Sequence, residues 1–137
     1  MIMLYSCNNN RKIKFEEIVG TYEHLSTVPP WNGVKNIIEI NSDSTFTHWI
    51  FRYDSLLVQE KDKWNYRNDF DLSIIYFDNF TSYIQYQTHD NSDEMFYGTS
   101  AIKCRKTLFG KVYLEEYIPF DPDGSPIVPK YKKVKQH

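Results

Sequence analysis

With 137 residues, the chain is long enough to bury one hydrophobic core and too short for two independent ones. Aromatic residues make up 17% of it and alanine occurs once, at Ala101, so the composition favours strands over helices. The formal net charge of −2 gives no electrostatic reason to expect a nucleic-acid partner. No apolar run reaches the roughly 18 residues that a membrane-spanning helix needs.

A pattern typical of lipid attachment lies at the start of the chain. An apolar run ends in a small residue and a cysteine, and a polar stretch over residues 8–12 follows. This order resembles the lipobox of bacterial lipoproteins, in which the signal peptide is cut before the cysteine and the cysteine is then acylated. Leu4, Ser6 and Cys7 match the lipobox, whereas Tyr5 stands where a small or β-branched residue is usual.

The lipobox resemblance implies that residues 1–12 are the remnant of a signal and a linker, and that residues 13–137 form the folded domain. Acyl chains on Cys7 would hold that domain at the cell envelope, in the periplasm or at the outer membrane. The chain lacks the basic segment and most of the apolar segment of a complete signal peptide. The alternatives are an unmodified Cys7 near a frayed terminus and a disulfide between Cys7 and Cys104.

Short segments rich in aromatic and β-branched residues follow one helical turn, which is predicted at residues 15–18. The predicted strands cover residues 19–26, 35–40, 45–53, 63–67, 70–77, 80–87, 95–105, 108–118 and 130–135. Tight turns are predicted at 41–44, 68–69 and 78–79, and the segment 54–62 is ambiguous. About eight or nine strands joined by short turns predict an all-β fold, a single antiparallel meander β-barrel.

The alternation of apolar and polar residues is clearest in the middle of the chain. In the strand at 63–67, Trp64 and Tyr66 share one face, and charged or amide side chains occupy the other. In the strand at 70–77, one face carries four large apolar side chains, Phe70, Leu72, Ile74 and Tyr76. A period of two residues is the signature of a half-buried strand, so both segments support the barrel.

An ordered series of short motifs points to a family. The motifs are Gly20-Thr21-Tyr22, Asp43-Ser44-Thr45-Phe46, Lys63-Trp64, Leu72-Ser73-Ile74-Ile75 and Tyr131-Lys132-Lys133. In this order the chain resembles the small lipocalin-like lipoproteins of bacterial envelopes, which implies a calycin-type β-barrel and names no particular ligand. Two features depart from the family. Ser44 stands where glycine is common, and the segment that begins at residue 108 is longer than usual.

The strand at 45–53 is apolar on both faces, and one face suggests a binding site. That face carries Phe46, His48, Ile50 and Arg52. If it points into the barrel, the charge of Arg52 needs an internal carboxylate, a ligand carboxylate or an outlet to solvent at the strand end. The predicted ligand-binding residues are Phe46, His48, Ile50, Arg52, Trp64 and Tyr66, around a small apolar or amphipathic ligand.

No pattern in the sequence points to catalysis. The four histidines share no metal-ligand spacing, and adjacent carboxylates on a strand point to opposite faces. The Asp-Pro-Asp-Gly sequence at 121–124 lacks the later glutamate of a calcium loop. No base is evident near Cys104, so we expect a buried, inert thiol there. We therefore expect no catalytic residue, metal site or cofactor.

These observations predict a non-enzymatic, lipocalin-like binding protein of the bacterial cell envelope. Its partner is a small apolar or amphipathic ligand, and it reaches the membrane only through a lipid anchor on Cys7. The alternative is a protein-interaction module, such as an immunity or inhibitor protein. In that case the aromatic outer face with Trp49 and Phe51 would contact a protein partner, because exposed apolar patches mark contact surfaces.

Overall fold

Eight antiparallel strands follow one another around a closed barrel in a computed structural model, which describes residues 13–26, 32–69, 72–83, 95–116 and 130–137. The elements are α1 (Phe15–Ile18), β1 (Gly20–Leu25), β2 (Val34–Ile40), β3 (Thr45–Arg52), β4 (Ser55–Asp69), β5 (Leu72–Tyr83), β6 (Met95–Lys106), β7 (Val112–Glu116) and β8 (Lys130–Gln136). This confirms the predicted all-β meander barrel with one short N-terminal helix. The predicted lipidation site Cys7 and the Asp-Pro-Asp-Gly sequence at 121–124 lie outside the described residues.

The inner face of the barrel follows from strict alternation along the first strands. Burial alternates residue by residue through β2, and through β3 as far as Phe51. The register pairs Ile40 with Phe46 and Ile38 with His48, and all four of these side chains are buried. Because successive side chains of a strand point to opposite faces, one correct pair fixes the orientation of both whole strands.

The middle of the barrel differs from the predicted strands. The ambiguous segment at 54–62 belongs to β4, which runs unbroken from Ser55 to Asp69. The predicted turn at 78–79 was wrong, because β5 continues through it as a bulge. The pairing with β6 passes from Phe77–Ser100 to Phe80–Gly98, so two residues of β5 face one of β6. Asn79 takes a left-handed conformation (φ 50°), which asparagine tolerates better than most residues.

Both faces of β5 carry apolar side chains, and the pairing with β4 decides which face points into the barrel. Trp64 pairs with Phe77 and Tyr66 with Ile75, so Ile75 and Phe77 fill the interior. Ile74 and Tyr76 lie on the outer face, where they are only half-buried. Arg67 lies over the Tyr76 ring there, 5.6 Å from its centroid. A strand predicted from residue 108 begins only at Val112, because residues 107–111 form a turn.

The helix α1 closes one end of the barrel, which we call the base. Ile18 is fully buried, and Phe15 stacks on Trp64 with ring centroids 5.0 Å apart. The indole of Trp64 donates to the Asn41 carbonyl at 3.0 Å. The opposite end, the mouth, is where β1, β3, β5 and β7 end. Within the described residues, no helix has the length and apolar character to cross a membrane.

The turn between β2 and β3 carries conformational strain that a single substitution should relieve. Ser44 has φ 68°, in the left-handed region, while Asp43 Oδ1 accepts hydrogen bonds from the Thr45 amide and hydroxyl. Because a left-handed L-residue costs about 1–2 kcal/mol, Ser44→Gly should raise the free energy of unfolding by about 0.5–1 kcal/mol. Urea unfolding measures this. Ser44→Ala is the control, and a glycine variant no more stable than the alanine variant would contradict the prediction.

Candidate functional site

A hydrogen-bonded chain of four polar side chains crosses the interior between β2 and β5. His48 is fully buried, with Nδ1 2.8 Å from Glu60 Oε2 and Nε2 2.9 Å from Asn36 Oδ1. Thr81 donates its amide to Glu60 Oε2 at 2.8 Å and its hydroxyl to Oε1 at 2.7 Å. Buried polar groups are stable only when hydrogen-bonded, and each group of this chain has a partner.

Strand register and the β5 bulge bring these side chains together. His48 and Glu60 are direct partners across β3 and β4, and Asn36 lies two residues from the β2 partner of His48. The bulge returns Phe80 to the inner face soon after Phe77. There the Phe80 ring stacks on the His48 imidazole, with centroids 4.2 Å apart and planes 5° from parallel.

The two ionisable groups of this chain hold complementary protonation states. Burial lowers the pKa of His48 and outweighs the hydrogen bond and charge of Glu60, which raise it. Burial also raises the pKa of Glu60, but hydrogen bonds from His48 and Thr81 outweigh it and keep the pKa below its ordinary value. At neutral pH we therefore expect a neutral His48 that donates Nδ1–H to an ionised Glu60. The Asn36 amide can rotate to present its NH₂ group to Nε2.

This arrangement braces the interior and leaves the imidazole no free nitrogen. One ring nitrogen is bonded to Glu60 and the other to Asn36, while Phe80 covers the ring face. A general base needs a nitrogen within hydrogen-bond reach of its substrate. These four hydrogen-bonded side chains are therefore better suited to stabilising the barrel interior than to proton transfer. No group of three or more His, Cys, Asp or Glu side chains is placed to hold a metal ion within the described ranges.

The six residues predicted to bind a ligand do not converge on one place. Phe46, His48 and Ile50 are all fully buried on the inner face, as that prediction requires. Phe46 lies in an apolar cluster, with its ring centroid 4.9 Å from that of Phe77. Arg52 ends β3 at the mouth and is half-exposed. The predicted binding role of these residues stays a prediction.

Trp64 and Tyr66 lie at the base, next to α1. Trp64 is buried beneath Phe15. The Tyr66 hydroxyl lies within hydrogen-bond distance of the Ile13 carbonyl and 2.9 Å from Asn68 Oδ1. Both side chains therefore fasten the N-terminal segment to the barrel. On the outer face of β3, Trp49 and Phe51 are half-buried.

A cleft opens in the barrel wall where β7 and β8 part. The two strands pair only at Tyr113, Leu114 and Glu115 of β7. Beyond these pairs β8 continues to Gln136 beside β1, while β7 begins at Val112 and the chain before it turns away. Among the described strands, none pairs with the β7-facing edge of the last part of β8. The resulting cleft has a volume of about 790 Å³.

Lysines dominate the lining of this cleft. Five contribute to it, Lys111, Lys130, Lys132, Lys133 and Lys135, together with the apolar or aromatic side chains of Val112, Tyr113, Tyr131 and Val134. Among the described residues, Glu17 is the one carboxylate of the lining, and it forms a salt bridge with Lys106. That interaction comes first among the causes that lower the pKa of Glu17. In the described part of the chain, Lys111, Lys132 and Lys135 form no salt bridge.

Lys133 is the lysine that points inward from the cleft. Its ammonium donates to the Glu17 carbonyl at 2.6 Å and to Gln136 Oε1, and it lies over the Tyr22 ring, 5.7 Å from the centroid. Burial lowers the pKa of Lys133. Gly20 makes room for it, because a Cβ there would lie 2.5 Å from Lys133 Cε and 2.6 Å from the backbone oxygen of Lys135. Because Gly20 has no side chain, β8 can approach β1 closely at this position.

Cys104 lies on the inner face of β6. It is a free cysteine and is buried, as predicted. Burial raises the pKa of its thiol to about 12. The thiolate is the reactive form of cysteine, so the side chain is protonated and inert at neutral pH.

Sequence reasoning missed the cleft, although part of the signal is visible. Four of the last eight residues are lysines, and two of them belong to the family motif Tyr131-Lys132-Lys133. The lysines of β8 indicate an anion site only if β8 and the turn at 107–111, which contains Lys111, are neighbours. That neighbourhood depends on the closure of the barrel by β8, which is a long-range property.

The buried histidine should make stability depend on pH. Because the pKa of His48 is lower in the folded protein than the ordinary value of about 6.5, the unfolded chain binds the proton more readily as the pH falls below that value. The free energy of unfolding should therefore drop on acidification, by at most about 1.4 kcal/mol per pH unit from this group. Urea unfolding between neutral and mildly acidic pH should show a shallower slope for His48→Gln. Equal slopes for the wild type and His48→Gln would refute the prediction.

Comparison of the chain with models of protein families, with curated proteins and with solved structures gives no match. The closed eight-stranded meander and the short N-terminal helix are compatible with the lipocalin-like fold that the sequence motifs imply. Membership of that family stays a prediction.

Proposed function

We propose that the protein is a non-enzymatic, lipocalin-like binding protein of the bacterial cell envelope, and that its ligand is a small amphipathic anion. The observation that carries the proposal is the cleft between β7 and β8, whose described lining contains five lysines and a single carboxylate that is already paired. Its volume of about 790 Å³ falls within the range of small-molecule sites, about 300–1,000 Å³.

The lining explains both halves of such a ligand. Lysine ammonium groups donate charge-assisted hydrogen bonds to carboxylate, sulfonate or phosphate oxygens. The rings of Tyr113 and Tyr131, with Val112 beside them, offer an apolar wall for the rest of the molecule. A bound anion would also relieve the repulsion among neighbouring lysines, so its affinity gains from charge as well as from contact area.

The absence of a role in catalysis is supported by the chemistry of the buried groups. Both nitrogens of His48 have protein partners, and the Cys104 thiol is protonated at neutral pH. The envelope location rests on the lipobox resemblance of Cys7. Because α1 lies at the base, an anchor on the segment before it would tether the barrel by that end.

A second function, a protein-interaction module, is favoured by apolar side chains at the mouth. Leu25, Tyr53, Leu56 and Leu57 are all exposed there. Tyr53 is held across Gly33, to whose carbonyl its amide donates at 3.0 Å. An immunity or inhibitor protein would use this mouth surface, so its partner would protect the mouth and leave the cleft open.

Titration with 8-anilinonaphthalene-1-sulfonate, an amphipathic aromatic anion, tests the cleft. The double variant Lys111→Gln/Lys132→Gln removes two exposed charges of the lining without touching the barrel interior. We expect its dissociation constant to rise about tenfold, because each lost charge-assisted contact weakens the anion's binding. Fluorescence and calorimetry report the binding.

The matched control is Lys61→Gln/Lys63→Gln, which makes the same change in net charge on the outer face of β4. This control should bind the dye as the wild type does. Nile red, an uncharged dye, should not distinguish the two double variants. Equal losses in both variants would show a general charge effect, and the proposed cleft site would then be wrong.

A further inference from the structure

The turn between β6 and β7 holds two large apolar side chains in solvent. Leu108 is 82% exposed and Phe109 is 92% exposed. The turn around them is well ordered by hydrogen bonds: the Gly110 amide donates to the Thr107 carbonyl at 2.9 Å, and the Thr107 amide to the Lys111 carbonyl at 2.8 Å. Gly110 takes φ 81°, as a three-residue hairpin loop with a bulge requires. The hydrogen-bonded turn therefore holds these side chains in solvent at the tip of the hairpin.

Positive charge surrounds this tip. Lys106 and Lys111 flank it in sequence, and Lys132 and Lys135 lie across the adjoining cleft. Lys106 binds Glu17 of α1, and this salt bridge holds the hairpin against the base of the barrel. Of the carboxylates of the base, Glu17 is paired with Lys106 and Glu16 is exposed on α1, whereas Asp43 and Asp62 lie in the turn after β2 and in β4.

We infer that the tip and its lysines dock the protein on an anionic lipid bilayer. Leu108 and Phe109 enter the boundary between headgroups and acyl chains, and the lysines contact anionic headgroups. In this arrangement the apolar side chains leave water for the acyl-chain boundary, while the lysine charges stay in the headgroup layer beside anionic lipids. Both contacts favour binding. The inference goes beyond ligand binding, because neither Leu108 nor Phe109 lines the cleft.

The shape of the feature favours a bilayer over a protein partner. A standard protein interface buries about 800 Å² on each side and has a broad, fitted apolar centre. Here two side chains project alone from a tight turn, with lysines on both sides of them. A fluid lipid surface accepts such a wedge without a complementary pocket.

The orientation that docking requires agrees with the path of the chain. The tip lies at the base, beside α1, and the chain enters α1 from its N-terminal side at that same end. A lipid anchor on Cys7 would thus bring the tip to the membrane. The docking itself needs no acyl group, so it is testable without one.

Co-sedimentation with lipid vesicles tests the inference in the full chain carrying Cys7→Ser, which removes the acylation site. We expect binding to vesicles of phosphatidylcholine mixed with phosphatidylglycerol, and little binding to phosphatidylcholine alone. The variant Leu108→Ser/Phe109→Ser should bind the mixed vesicles at least about tenfold more weakly. The control Leu56→Ser/Leu57→Ser makes the same chemical change at the mouth and should bind as its parent does.

Three outcomes would overturn the inference. They are unchanged binding by the Leu108→Ser/Phe109→Ser variant, equal binding to both kinds of vesicle, and failure of the parent to bind either kind. A protein partner captured through Leu108 and Phe109 without vesicle binding would assign the tip to protein recognition instead. The tip variant keeps every lining residue of the cleft, so its dye affinity should match its parent. Loss of vesicle binding with normal dye binding separates this inference from the proposed ligand site.

Discussion

The pairing of β8 with β1 is the constraint on which the rest of the structure depends. It closes the barrel and leaves the meander no free outer strand. It also requires a close approach at Gly20, where any side chain would collide with Lys133 and with the backbone of Lys135. Closure uses one edge of β8 along most of its length, while β7 is too short to cover the other edge. The cleft is the geometric consequence of that difference in length.

Closure also decides what the interior must contain. Each strand sends every second side chain inward, and a narrow barrel leaves little room for polar ones. Near the base the positions are apolar and aromatic, with Phe46, Phe77 and Phe80 in mutual contact. Above them the chain of Asn36, His48, Glu60 and Thr81 ties four successive strands together. Burying these polar groups costs little free energy only while each has a hydrogen-bond partner. The loss of one member would leave others buried without partners and would destabilise the fold.

Local signals predicted the parts of the fold that local chemistry determines. The helical turn at Phe15–Ile18 and the first three strands follow from alternation and from turn residues close in sequence. The predicted turn at Asp78 and Asn79 was wrong, because the same residues suit a tight turn and a bulge equally well. Pairing of β5 with β6 on both sides of the bulge decided between the two. Ser44 stands where the resembling family commonly has glycine, and its left-handed backbone explains why glycine suits that place.

The candidate site was less predictable, because it depends on which strands become neighbours. His48 was identified from its strand face, yet its partners Asn36, Glu60 and Thr81 come from three other strands. The lysines of β8 were visible in the sequence, but their meaning depends on the length of β7 and on the path of the turn before it. Register and strand length are properties of the closed barrel, and no short window of sequence contains them.

An open strand edge offers a second reason for the lysines, and the two reasons can be separated. Natural sheets protect unpaired edges from other strands with charged side chains, above all lysine. Outward lysines such as Lys132 and Lys135 satisfy that need. Lys133 does not serve it, because its ammonium turns inward over Tyr22 and bonds to the carbonyl of Glu17. Edge protection and the proposed anion binding can therefore both act through the lysines on the rim, whereas edge protection does not account for the inward ammonium of Lys133.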